Sequence, residues 1–160
     1  MILYHGSLQI VTHPKILIPN RQLDYGTGFY TTTSMQQAHD WVVRKLDGWK
    51  GVGYVNIYDW DEASASTLNQ LRFDSADEDW LDFVMSNRTT DGFHHSYDTV
   101  YGPVANDRVY AAFALYEQHF IDKAGLIREL RTYKLVDQLL FHTERALETL
   151  KFIEAKEVYS

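Results

Sequence analysis

The stretch Gly26-Thr27-Gly28-Phe29-Tyr30-Thr31-Thr32-Thr33-Ser34 constrains the fold of this chain more than any other. Phe29 to Thr33 are aromatic or β-branched, residues that fit a pleated, half-buried surface, so they read as a strand. Ser34 is placed to cap a helix whose apolar residues Met35, Ala38, Trp41, Val42 and Leu46 recur at the spacing of one helical face. A strand therefore runs straight into a helix, and the glycines lie ahead of the strand. No Gly-x-Gly-x-x-Gly follows a strand, which argues against a Rossmann-type dinucleotide site. A second short apolar run, Met1 to Tyr4, reads as a strand that delivers His5 to its end, and Gly6 after it removes a side chain that would keep a ligand from the backbone.

Beyond these two segments, strands and helices alternate irregularly. Gly53 to Trp60 reads as a strand and Leu68 to Phe73 as a shorter one. Ser75-x-x-Glu78 has the form of a capping box opening a helix through Trp80, Leu81, Phe83, Val84 and Met85 to about Asn87. Tyr97 to Tyr101 reads as a strand stopped by Gly102-Pro103. Asn106 or Asp107 then caps a helix carrying Val109, Ala112, Phe113, Tyr116 and Phe120 on one face, with Gly125 as its expected stop. Gln138 to His142 reads as a strand, Thr143 as the cap of a short helix, and Lys151 to Val158 as a returning strand. The class implied is α+β, since strict βαβ alternation is missing.

Composition narrows the function. The chain has 160 residues, 45% of them hydrophobic, enough to bury a core as a single domain over 1–160, with no linker or repeat dividing it. There is no cysteine, which excludes disulfides and thiolate chemistry. No window is apolar enough for a membrane-spanning helix and no leader segment is evident, so the expected location is cytoplasmic, without a membrane partner. Fifteen basic against 22 acidic residues give a net charge of −7, with no basic block, which disfavours a nucleic-acid partner. The adjacent His94-His95 suggests a metal only weakly, because neighbours on an extended chain point to opposite sides, and no metal is expected.

Tyr4-His5-Gly6-Ser7, Ile16-Leu17, Gly28-Phe29-Tyr30 and the Ser34 to Ala38 helix start resemble the NAD-binding half of ADP-ribosyltransferases of the His-Tyr-Glu class, which includes poly(ADP-ribose) polymerases and diphtheria toxin. The whole chain, from about Met1 to Phe152, is similar to a bacterial family of small, largely uncharacterised proteins assigned to that superfamily. Asp24-Tyr25-Gly26-x-Gly28-Phe29-Tyr30, Trp80-Leu81-Asp82-Phe83-Val84, Tyr97 to Asp107, and Asp137-Gln138 ahead of Phe141 to Leu147 carry that similarity. The resemblance implies a split β-sheet core with flanking helices and NAD as substrate. It also implies mono-ADP-ribosylation of a macromolecule, a protein before a nucleic acid, in the context of a toxin with a small antitoxin-like partner.

The same resemblance assigns roles. His5 would hydrogen-bond the adenosine-side ribose, Tyr30 would stack on nicotinamide, and the Gly6 backbone would clamp the carboxamide. Ser7 and Thr32 are hydroxyl partners and Gly28 gives access. Independently of the resemblance, the acidic balance means that a pyrophosphate would be held locally, by backbone N–H groups and Arg21 or Arg44, with Arg21 in the loop before Asp24 preferred. The third position of the class, a glutamate, is matched by Gln138. An amide still hydrogen-bonds a ribose, but it carries no charge to favour an oxocarbenium-like state and cannot act as a base. Asp137, Glu144, Asp98 or Asp107 are alternative carboxylates. Poly(ADP-ribose) elongation is therefore not expected, while mono-transfer, NAD hydrolysis and a non-catalytic NAD- or protein-binding module stay open. Target-recognition loops are expected at Asp47 to Gly51 and Thr89 to Ser96.

Overall fold

In the computed structural model, which describes residues 1–17, 25–48, 50–90 and 94–159, a seven-stranded sheet carries helices on one face and loops with a short helix on the other. The strands are β1 (Ile2–Ser7), β2 (Phe29–Thr32), β3 (Val52–Trp60), β4 (Gln70–Arg72), β5 (Thr99–Pro103), β6 (Asp137–Phe141) and β7 (Leu150–Tyr159). The helices are α1 (Met35–Leu46), α2 (Glu78–Thr89), α3 (Asp107–Glu117), α4 (Lys123–Leu130) and α5 (Glu144–Leu147), with a 3₁₀ turn at Ser64–Thr67. This is the α+β class expected. The sheet order is β4-β5-β6-β2-β1-β3-β7, antiparallel except for the β4/β5 pair.

The sheet is unevenly joined. β1 meets β3 along its whole length, from Ile2 opposite Asp59 to Ser7 opposite Tyr54, and β2 meets β6 from Phe29 opposite Phe141 to Thr32 opposite Gln138. Between β1 and β2 there is one register pair, Tyr4 opposite Thr32. The sheet is thus two ladders, β4-β5-β6-β2 and β1-β3-β7, hinged at a single point.

Residues opposite each other share a sheet face, so register and burial together sort the core. On one face α1 covers the second ladder through Ala38, Val42 and Leu46 against Val55, Ile57 and Val158. The helices α2, α3 and α4 cover the first ladder, where Trp80, Leu81, Val84, Val109, Phe113, Leu126 and Leu130 meet Val100 and Leu140. The seam between these two helical layers lies over the β1/β2 hinge. On the other face Leu3, Phe29, Tyr58, Trp60, Leu139 and Phe141 pack beneath Ala65 of the 3₁₀ turn and Ala146 and Leu147 of α5.

Several boundaries differ from the sequence reading, each for a local reason. β1 continues to Ser7, so His5 sits inside the strand. β5 includes Gly102 and Pro103, since pairing with β6 runs on to Pro103 opposite Asp137. The cap of α2 is Asp77, whose carboxylate accepts from the Trp80 N–H at 2.9 Å, in place of Ser75. The long helix ends at Glu117. His119 takes a left-handed φ of 64°, and Phe120 is left 72% exposed. Gly125 lies inside a further helix, α4, where its N–H donates to the capping Asp122 carboxylate at 2.7 Å. On α1, Ser34 is the cap as expected, but Met35 and Trp41 are each 38% exposed.

Candidate functional site

The β1/β2 hinge gathers the residues that the sequence singles out. His5 lies on the Leu3 face of β1. Its Nδ1–H donates to the Tyr30 carbonyl at 2.6 Å, and its ring lies 4.3 Å from that of Phe29. A carbonyl can only accept, so the tautomer is set and Nε2 keeps the lone pair. Burial lowers the His5 pKa, and the bond to the Tyr30 carbonyl offsets part of that effect. The imidazole therefore serves the Tyr30 carbonyl as a backbone N–H would, at the place where the ladder between β1 and β2 stops.

Gly6 faces the other way. A Cβ there would stand 2.5 Å from the Ala38 carbonyl oxygen and 3.2 Å from Cε3 of Trp41, so the glycine is required by the close approach of α1. The half-exposed Trp41 indole thus flanks the Gly6 backbone, with Lys45 Nζ 5.2 Å from its ring centre. Ser7 ends β1, and its hydroxyl accepts from the Gln9 N–H at 3.1 Å.

Tyr30 is half-buried and packs on the larger core. Its hydroxyl turns back on the chain, donating to the Gly26 carbonyl at 2.7 Å and accepting from the Tyr25 N–H at 3.3 Å. Gly28, expected to open access to a ligand, instead makes room for a protein contact. A Cβ there would lie 2.8 Å from the Phe141 carbonyl oxygen and 2.9 Å from His142 Nδ1. The Thr32 hydroxyl lies 2.9 Å from Gln37 Oε1 and 3.1 Å from the Asp137 carbonyl, and accepts from the Ser34 N–H at 3.1 Å, so it is committed to the strand-to-helix turn.

Gln138 behaves differently. It pairs with Thr32 on one side and Gly102 on the other, which puts it on the same sheet face as Tyr30, and it is only 6% exposed. Its side-chain amide makes no hydrogen bond among the described residues and is not fully enclosed, so it meets solvent beside the hinge. Among the alternative carboxylates, Asp137 accepts from the Tyr101 hydroxyl at 2.8 Å on the opposite face, and Glu144 is exposed in the first turn of α5. Asp98 is 3% exposed and tied to Arg145 at 2.5 and 2.9 Å and to the Thr143 hydroxyl at 2.7 Å. The Arg145 guanidinium holds the Asp98 carboxyl well below the usual carboxylate range. Arg21 and the Asp107 side chain lie outside the described residues.

With this geometry in view, comparison with known families matches residues 1–152 to the model of a family described as a protein of unknown function, DUF3990. The chain belongs to that family. No curated protein and no solved structure matches it.

In this DUF3990 protein Gly6, Tyr30, Thr32 and Gln138 meet along the hinge on one face of the sheet, while the His5 ring lies on the opposite face with Phe29 and reaches Tyr30 only through its backbone carbonyl. Two contributors escape the sequence reading. Asn56, fully buried in β3, donates to the His5 carbonyl at 3.3 Å and the Gln9 carbonyl at 3.2 Å and accepts from the Val11 N–H at 2.8 Å, fixing the exit of β1. An asparagine inside an otherwise strand-forming run is the signal that marks it. His142 and His95 form the second, holding the turn before Tyr30. No cluster of three His, Cys, Asp or Glu placed to hold a metal ion occurs among the described residues, and no helix among them is long and apolar enough to cross a membrane.

Proposed function

We propose that this protein binds NAD at the β1/β2 hinge and transfers its ADP-ribose singly to a macromolecular acceptor, a protein before a nucleic acid. In this reading the two hinged ladders are the split core of an ADP-ribosyltransferase. The observation that carries it is Gln138: a largely buried side chain whose amide makes no hydrogen bond among the described residues and is left to solvent, on the Tyr30 face beside the one place where the sheet opens. A donor and an acceptor that the fold leaves uncommitted are free to pair with a ligand hydroxyl without breaking a bond of the fold.

The chemistry follows from what these groups can do. The bond between nicotinamide and ribose breaks with positive charge growing at the anomeric carbon, and the departing nicotinamide takes the bonding electron pair. Tyr30 and the Trp41 indole offer aromatic surface for the base. The Gly6 backbone and the Gln138 amide offer hydrogen bonds to carboxamide and ribose, and the neutral His5 keeps an acceptor at Nε2. Catalysis here would rest on positioning, since an amide adds no counter-charge. The bacterial-toxin context with a small neutralising partner belongs to the same reading, supported by resemblance alone.

The missing charge favours a second reading, a module that binds NAD or a protein without turnover. Nicotinamide release from NAD, with and without cell lysate, separates the two. Lysate-dependent release that Gln138→Glu raises by about tenfold or more is the outcome expected of a transferase whose carboxylate has been replaced by an amide. Release into buffer alone indicates hydrolysis. Binding of NAD with no release from either form supports an NAD-binding module, and absence of NAD binding overturns the transferase and leaves only a module that binds a protein.

A further inference from the structure

Three consecutive carbonyls of the turn before β2 are each held by an aromatic side chain. His95 Nε2–H donates to the Tyr25 carbonyl at 3.2 Å, the Tyr30 hydroxyl to the Gly26 carbonyl at 2.7 Å, and His142 Nδ1–H to the Thr27 carbonyl at 2.7 Å. The two imidazoles meet edge to face, 4.4 Å apart at 89°. His95 Nδ1 accepts from the Tyr97 N–H at 3.2 Å, so both of its nitrogens are used. The buried Nε2 of His142 has no hydrogen-bond partner among the described residues. The glycines fit this clamp: Gly26 has φ +87° with Asn87 Oδ1 2.9 Å from where a Cβ would stand, and Gly28 leaves the room that His142 fills.

Each ring fits this arrangement in one neutral tautomer only. A proton added to His142 Nε2 becomes a buried donor without an acceptor among the described residues, and adds charge to a ring whose centre is 4.4 Å from that of His95. A proton added to His95 Nδ1 takes away the acceptor of the Tyr97 N–H. We infer that His95 and His142 act as a pair of positioning residues that lock the Tyr25–Tyr30 turn, and with it the Tyr30 ring, only while both are neutral, so that the turn unlocks on acidification.

Among the described residues, the groups facing the pair do not rescue the charged forms. His94 adds like charge beside His95, and Tyr25, Tyr30 and Tyr97 surround the turn as phenols. Phe83 and Asn87 of α2 are uncharged, and the Asp98 carboxylate near His142 is already matched by Arg145. Burial, partly offset by the carbonyl bonds, lowers both pKa values, that of His142 to about 4. The sign is then fixed. A free histidine titrates near about 6.5, so the unlocked turn binds protons below that pH while the locked turn does not, and locking weakens as pH falls from about 6.5 toward the folded value.

The consequence for NAD rests on the proposed function; the latch itself does not. The test compares the wild-type chain with His95→Gln/His142→Asn, whose amides place donors near the original Nε2 and Nδ1 positions but do not titrate. Exchange of the Tyr25 and Tyr97 backbone amides is followed from pH 7.5 to 5, corrected for intrinsic rates, beside NAD affinity. In wild type the opening constant rises by about tenfold or more over that range and NAD affinity falls with it, while the double variant is flat in both. Equal pH dependence in the two proteins overturns the inference. If the variant does not fold, ¹⁵N spectra of the wild-type rings decide: Nδ1–H on His142 and Nε2–H on His95 with depressed titration support the latch, and the opposite tautomers or ordinary titration refute it. Acid opening without NAD binding at any pH leaves the latch standing and removes the proposed function.

Discussion

The two sides of the β1/β2 hinge differ in how their polar groups are spent. On one side, around Tyr25–Tyr30, His95, Asp98, His142 and Arg145, nearly every donor meets an acceptor, and the exception among the described acceptors is the buried Nε2 of His142. The carbonyls of residues 25 to 27 are capped, the Asp98 carboxylate takes bonds from Arg145, Thr143 and the Asn69 N–H, and the Trp80 indole donates to the Tyr25 hydroxyl at 2.7 Å. On the other side, Gln138 keeps an idle amide and Trp41 stands half-exposed beside Gly6. Closed networks hold a fold together. A polar group that the fold leaves uncommitted at a seam open to solvent can hold a ligand without breaking such a network.

The comparison breaks most visibly if the closed side is opened. Arg145→Ala leaves a nearly buried carboxylate without its guanidinium. The loss expected is about 2 kcal/mol, below the usual range for a fully buried pair because Arg145 is itself 63% exposed, and the urea midpoint measures it. The same ion pair sets an acid limit. Its stabilisation is fully present above about pH 4, the ordinary aspartate value, and is lost as pH falls below that toward the depressed native value. Acid unfolding of Arg145→Ala should therefore begin at a higher pH than in wild type. Gly6→Ala strikes the hinge from the other side, driving a methyl toward the Ala38 carbonyl at 2.5 Å, and should cost about 2 kcal/mol by forcing α1 outward. An unchanged midpoint would mean that α1 shifts freely and that Gly6 does not fix its height.

Much of this frame was legible in the sequence because strands and caps are local. The β-branched run before Ser34, the apolar alternation of Gly53 to Trp60 and Thr143 before a short helix each act within a few residues, and each appears as read. Most of what failed to read was non-local, Gly125 being the exception. Gly6 and Gly28 looked like openings for a ligand because a missing Cβ has the same spelling whatever fills the space, and here Ala38 and His142 fill it. Gly125 looked like a helix stop, yet the Asp122 cap three residues earlier restarts the chain as α4. His95 and His142 are 47 residues apart in sequence and reveal their pairing only in three dimensions. Gln138 was singled out by position, but its idle amide could not be inferred from its neighbours in the chain.

A finer test sets two buried polar residues on adjacent strands against each other. Thr31 on β2 is 2% exposed, and its hydroxyl donates to the Leu139 carbonyl at 2.6 Å; Thr31→Val keeps the shape, removes the bond and should cost about 1 kcal/mol. Gln138 on β6 is 6% exposed but makes no such bond among the described residues, so Gln138→Leu removes only an unpaired amide. Its stability should change by less than about 0.5 kcal/mol, or rise, since an apolar side chain of similar size carries no desolvation cost. NAD affinity should move the opposite way, nearly intact in Thr31→Val and lost in Gln138→Leu. Crossed effects of this kind, read from urea midpoints and NAD titration of the same two proteins, would separate a residue kept for the fold from one kept for a ligand. Were Gln138→Leu to lose as much stability as Thr31→Val, the amide would have a structural partner and the case for the hinge as a binding site would lose its main support.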